Sequence, residues 1–171
     1  FTDKLDLEEI GSLGSSLAAD ANLTLMAAMN FDSIEQEAGL ICLTHALDFG
    51  GGWRQELHAF HGKGAWQTVK PGVEALFEAC PDLHSDWLAS LTETEVANFF
   101  NLANSDSLKP FVQKLHAVLQ EIGTSLGENG YSTVAGLVMH NIEKHSGSSR
   151  PASLLVKDLV DTFPYTFKDV H

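Results

Sequence analysis

The stretch Asp32-Ser33-Ile34-Glu35-Gln36-Glu37-Ala38-Gly39-Leu40-Ile41-Cys42-Leu43-Thr44-His45-Ala46-Leu47-Asp48-Phe49, closed by Gly50-Gly51-Gly52, decides the fold class. Ser33 and Gln36 stand at capping-box spacing, so their side chains can satisfy free backbone N–H groups and open a helix running toward Phe49. Ile34, Ala38, Ile41, His45 and Phe49 recur at three- and four-residue steps and share one stripe of that helix. The three glycines then end it abruptly, because glycine carries the largest backbone entropy cost and tolerates positive φ.

The helical period extends in both directions. Upstream, Leu5, Ile10, Leu13 and Leu17 begin an amphipathic segment, weakened by Gly11 and Gly14, that continues or restarts through Ala21 to Met29. Downstream, a short helix is expected from Trp53 to His61 and another from Ala65 to Cys80, with Pro71 interrupting it or resetting its start. Thr92-Glu93-Thr94-Glu95 is a second capping box, opening a helix through Phe100. Pro110 suits the first turn of a long helix that ends around Gly123 to Gly127. Ser132 or Thr133 caps a segment through Lys144, whose basic end complements the helix dipole. A flexible linker is expected near 146–151, in Gly147-Ser148-Ser149-Arg150-Pro151, before a last helix from Ala152 to Phe163. No stretch alternates apolar and polar residues over strand length. The expected class is all-α: a compact multi-helix bundle with short connections, formed by residues 1–171 as a single helical domain.

Composition bounds the partners. Ten Lys and Arg against 23 Asp and Glu leave a formal charge of −13 over 171 residues. A field of that sign repels phosphate backbones and anionic lipid, which argues against a polynucleotide but not against one small phosphorylated ligand in a local basic pocket. No apolar run approaches the ~20 residues of a spanning helix. Cys42 lies in an apolar run and reads as a buried small hydrophobe; Cys80 precedes Pro81 at a helix end. Neither belongs to a CxxC pair, so no cysteine zinc site is expected and a reducing compartment is favoured. The chain starts at Phe1 without an initiator Met, and closes on aromatic Phe163-Pro164-Tyr165-Thr166-Phe167-Lys168-Asp169-Val170-His171. Both ends lead to the expectation of a piece of a longer, processed protein.

Chemistry is densest in His45-Ala46-Leu47-Asp48-Phe49-Gly50-Gly51-Gly52-Trp53-Arg54-Gln55-Glu56-Leu57-His58-Ala59-Phe60-His61. Backbone amides of a glycine turn at a helix N-terminus can receive a monophosphate, and Arg54 adds a planar bidentate donor for the same group. Asp48 is the candidate carboxylate, as a base or as a stabiliser of a cationic transition state. Trp53 offers a face on which a base can stack. The structural alternative makes the glycines a C-cap, pairs Arg54 with Glu56 or Asp48, and buries Trp53. His58 and His61 share a helical face, but no third ligand at motif spacing and no HExxH accompany them, so a surface or capping role is expected and no metal. His116, His140 and His145 read as satisfied or exposed histidines. No P-loop, dinucleotide fingerprint, nucleophile elbow or basic-aromatic strip is present.

At this stretch the sequence resembles the queuosine salvage family, whose members hydrolyse the N-glycosidic bond of queuosine 5′-phosphate to release queuine. The residues that carry the likeness are Asn30-Phe31-Asp32-Ser33-Ile34-Glu35-Gln36-Glu37 and Ala46-Leu47-Asp48-Phe49-Gly50-Gly51-Gly52-Trp53-Arg54. It continues through Leu115 to Gly130 and into Leu159-Val160-Asp161-Thr162-Phe163-Pro164-Tyr165-Thr166-Phe167-Lys168-Asp169. The resemblance implies a fold like the helical DNA glycosylases and a hydrolytic reaction without metal or redox cofactor. Asp48 would be catalytic; Phe49, Trp53 and Arg54 would bind the modified nucleoside monophosphate. Two departures mark a divergent, truncated member: the glycine-rich turn replaces an aromatic pair, and the chain stops before an expected Asp-containing aromatic and basic motif.

A competing expectation belongs to another class. An acidic domain lacking part of its catalytic machinery fits a non-catalytic scaffold or linker subunit of a large complex. One setting is a plastid, where it would dock between photosystem and light-harvesting proteins, its histidines and aromatics touching chlorophyll-type pigment. The compartment stays open between the cytoplasm and, after processing, a plastid.

Overall fold

The computed structural model describes residues 33–167. Contacts divide the chain into two units, Phe1–Ile34 and Glu35–His171, and the second carries the helical bundle. The expected upstream helices, from Leu5 to Met29, lie outside the described residues. Those that are described form an all-α bundle without strands: α1 (Ile34–Leu47), α2 (Arg54–His61), α3 (Ala65–Ala79), α4 (Ser85–Ser90), α5 (Glu93–Phe99), α6 (Lys109–Glu128), α7 (Val134–His145), α8 (Pro151–Thr162) and α9 (Pro164–Phe167). Short 3-10 turns precede α2 and α6, at Gly50–Trp53 and Asp106–Leu108. Among the described residues no helix is long and apolar enough to cross a membrane.

The caps explain several boundaries. The Thr92 hydroxyl accepts from the Glu95 N–H at 3.3 Å, and Glu95 Oε2 accepts from the Thr92 N–H at 2.8 Å, which completes the expected capping box. Between the expected alternatives at the start of α7, Thr133 is the cap: its hydroxyl accepts from the Gly136 N–H at 3.0 Å. Pro151 opens α8 as its first residue instead of closing the linker. Pro71 neither interrupts nor resets α3, which runs through it. Only one backbone donor is lost there, and buried Val69, Gly72, Val73 and Leu76 hold the helix to the core around it.

The central element is α6. It buries Phe111, Val112, Leu115, Val118, Leu119, Ile122 and Leu126, a continuous apolar face along the helix. The helix ends at Glu128, one residue beyond the expected range, and Gly123 lies well inside it. A β-carbon on Gly123 would lie 2.4 Å from the Ala89 nitrogen and 2.5 Å from the Ser85 carbonyl oxygen. The glycine is there so that the backbone of α4 can rest on α6, and α4, six residues long, carries no periodic signal of its own.

The buried face of α1 differs from the expected stripe. Leu40, Leu43, Ala46 and Leu47 are buried, while Ile34 is 68% exposed and His45 points to solvent. Apolar residues surround this helix almost evenly, so its own period selects no face; the close pass of Gly39 over Ala135 of α7, 3.5 Å from an added β-carbon, selects it. Buried Thr44 and Asn141 stay satisfied within their own helices, donating to Leu40 O at 2.8 Å and Leu137 O at 3.0 Å.

Gly123 and Gly127 make a matched test of the close packing. Gly123→Ala is expected to lower stability by about 2–3 kcal/mol, because α4 backbone atoms have no room to give. Gly127→Ala, with open space around it, should be neutral or stabilising by up to about 1 kcal/mol. Denaturant midpoints of the two variants decide between close packing and simple helix propensity as the meaning of Gly123.

Candidate functional site

The Asp48–Arg54 segment begins where α1 stops. The helix ends at Leu47, and the Asp48 and Phe49 N–H groups donate to His45 O at 3.3 Å and Leu47 O at 2.9 Å. The three glycines are therefore not the cap of this helix. They wind a 3-10 turn, and none of them has positive φ. Gly50 is required for another reason: it is buried, and an added β-carbon would sit 2.6 Å from Ala65 Cβ and 3.2 Å from Phe111 Cζ. Gly51 and Gly52 face open space.

This seating brings three aromatic rings together. The Phe49 centroid lies 6.5 Å from that of Trp53 and 6.0 Å from that of Phe111, both edge-on, and the Trp53 and Phe111 centroids are 5.1 Å apart. Phe111 is fully buried; Phe49 and Trp53 are half-buried. One helical turn beyond Phe111, Lys114 Nζ lies 5.9 Å from the Phe49 ring centre and 3.7 Å from that of Tyr165. Tyr165 is kept there by Glu121, whose Oε1 accepts from the Tyr165 N–H at 2.6 Å and whose Oε2 accepts from the Thr166 hydroxyl.

Of the four residues singled out in the sequence, Phe49 and Trp53 thus meet in one cluster. Asp48 and Arg54 flank it in sequence, and both are exposed. Among the described residues Arg54 forms no ion pair with Asp48 or Glu56, so its expected structural partner is not taken. Lys70, Lys109, Lys144 and Lys157 each pair with a carboxylate. Among the described residues Arg54, Lys63, Lys114 and Arg150 do not, and two of these, Arg54 and Lys114, belong to the segment or cluster around Trp53. Phe111, Lys114 and Glu121 carry no sequence signal beyond lying on α6; only the fold gives them a shared surface with residues 49–53.

Three of the histidines take structural roles. The Lys63 N–H donates to His61 Nδ1 at 3.3 Å, which leaves the proton on Nε2 for the Thr68 hydroxyl at 3.1 Å; Thr68 in turn donates to Gly64 O at 3.0 Å. His61 therefore stitches the turn from α2 into α3, as a capping role predicts. His116 Nε2 donates to Leu91 O at 2.8 Å, and His145 Nε2 to Asp158 Oδ2 at 2.7 Å. His45 is exposed and tilts against the Trp66 ring, 6.2 Å between centroids. Among the described residues no three His, Cys, Asp or Glu side chains gather closely enough to hold a metal ion.

No protein-family model matches this chain, and no curated protein or solved structure matches it either.

Partial burial, then the charges of Lys63 and His58, lower the His61 pKa from its ordinary 6.5. The folded state takes up that proton less readily than the unfolded chain. Stability from the neutral ring is thus fully present above the ordinary value and is lost as pH falls through the lowered one. The stability difference between wild type and His61→Ala should be widest above the ordinary histidine range and narrow below it, as read from denaturant midpoints across pH.

Proposed function

We propose that this domain binds a modified nucleoside 5′-monophosphate of the queuosine 5′-phosphate kind and hydrolyses its N-glycosidic bond, on a fold like the helical DNA glycosylases. The observation that supports this reading is the position of Lys114. Its ammonium lies against the rings of Phe49 and Tyr165, which come from the two separate stretches that carry the family resemblance, 46–54 and 159–169. Residues remote from one another in the chain thus border one surface with a stacking face and a cation that has no carboxylate partner.

In this reading the Phe49 and Trp53 rings hold the departing deazapurine, and Arg54 and Lys114 take the phosphate. The C1′–N bond breaks with its electron pair going to the base nitrogen. Asp48 stabilises the oxocarbenium-like ribose and accepts a proton from the water that adds to C1′. That proton ends on the leaving base, giving ribose 5-phosphate and queuine. Incubation with queuosine 5′-phosphate, followed by mass spectrometry, should release free queuine. Asp48→Asn should lower the rate by about 10²-fold or more with the helical circular dichroism unchanged, because Asp48 is exposed. Absence of queuine from the wild-type protein sinks the reading.

A second reading has its own observation. His45 is exposed beside Trp66, which is 39% exposed, and Phe60 is 38% exposed. An open imidazole beside the exposed Trp66 ring suits a non-catalytic scaffold subunit that contacts protein or chlorophyll-type pigment in a large plastid photosystem–light-harvesting assembly. Native mass and the absorbance of the purified protein test it: a pigment-free monomer from the source tissue counts against it.

A further inference from the structure

The helix α8 is held unlike any other long helix of the bundle: it is 12 residues long and buries none of them. Leu154, Leu155, Leu159 and Val160 are only half-covered, and Val156 is 59% exposed. Beneath it lies an apolar cleft of about 230 Å³, with Leu155, Leu159 and Phe167 on one side and Ile41, Cys42 and Val138 on the other. Interfaces that settle as part of a core do not leave such space.

What fastens the segment is polar and near the surface. Lys144 Nζ and His145 Nε2 both donate to Asp158 Oδ2, each at 2.7 Å, and these two bonds, Lys144 first, hold the Asp158 carboxyl below its ordinary range. At the far end Glu121 grips Tyr165 and Thr166. One buried side chain, Phe163, anchors the joint between α8 and α9. The segment leaves α7 through Ser146–Arg150, a turn that belongs to neither helix.

We propose that Pro151–Phe167 is a releasable strap, hinged at 146–150 and fastened by Asp158 and Glu121, whose opening uncovers the Cys42 cleft and carries the Tyr165 ring off Lys114. The strap governs access to Lys114 whatever ligand that cation serves, so its test does not depend on hydrolysis. Opening costs little because it exposes half-buried side chains and one phenylalanine, while the bundle around α6 keeps its core.

Cys42 reports on the strap directly. Cys42 is half-buried, and burial pushes its thiol up to about 11, so in the closed state it is protonated and its alkylation is slow. The experiment compares the wild-type chain with Asp158→Asn/Glu121→Gln, following iodoacetamide alkylation of Cys42 and Cys80, acetylation of Lys114 by an activated ester, and hydrogen exchange by peptide. Alkylation of Cys42 should rise roughly tenfold, the change that weakening the closed form by about 1.4 kcal/mol gives. Lys114 acetylation should rise with it, residues 152–167 should exchange faster, and Cys80 and α6 should be unchanged. An unaltered Cys42 rate overturns the strap. So does exchange of 152–167 in step with α6, which would mean that the segment leaves only when the whole domain unfolds. A faster Cys42 with an unaltered Lys114 overturns the coupling to the site.

Discussion

The bundle depends on one close approach. Gly123 lets the backbone of Ser85–Ser90 lie directly on the 20-residue helix Lys109–Glu128, with the Ser85 carbonyl oxygen and the Ala89 nitrogen where a side chain would otherwise stand. Contact at that distance packs two helices without intervening side chains, and the surrounding apolar residues then close over it. Leu88 of the short helix and Leu115, Leu119, Ile122 and Leu126 of the long one are all buried. Leu91 leads into the capped Glu93–Phe99 helix from the same seat, held also through its carbonyl by His116. The long helix is thereby fixed as the axis from which the other elements take their positions.

That axis also builds the candidate site. Phe111 lies under the glycine turn, Lys114 stands between the Phe49 and Tyr165 rings, and Glu121 holds the backbone that carries Tyr165. Three residues spaced along one helix thus join segments from the two ends of the described chain. In a protein of net charge −13, four described cations, Arg54, Lys63, Lys114 and Arg150, stand without a carboxylate. Of these, Lys114 sits against the Phe49 and Tyr165 rings, whose faces compensate part of its charge without neutralising it.

Most helices are legible in the sequence because they announce themselves locally. The Thr92 box, the Thr133 cap, Pro110 in a first turn and Gly147–Arg150 as a break are short-range signals whose physics is complete within four or five residues. What misleads is any feature with two physical uses. Glycines at 50 and 123 read as helix ends, since glycine frees the backbone, yet each is used for its missing β-carbon. Spacing suggests one stripe on Ile34–Leu47, but that helix is apolar nearly all round, and there spacing cannot choose a face. The Ser85–Ser90 helix escapes sequence reasoning because six residues are too few to show a period. Phe49 and Trp53 are legible as site residues through their neighbourhood in sequence; Phe111, Lys114 and Glu121 are not, since nothing local distinguishes them from other residues of an amphipathic helix.

The sequence by itself determined the all-α class, most helix boundaries and the place where unusual side chains concentrate, because capping, propensity and charge act over a few residues. The tertiary structure decided which face each helix buries, why Gly50 and Gly123 cannot carry side chains, and that Lys114 joins Phe49 to Tyr165. Those outcomes depend on distances between residues remote in the chain, and only packing sets them.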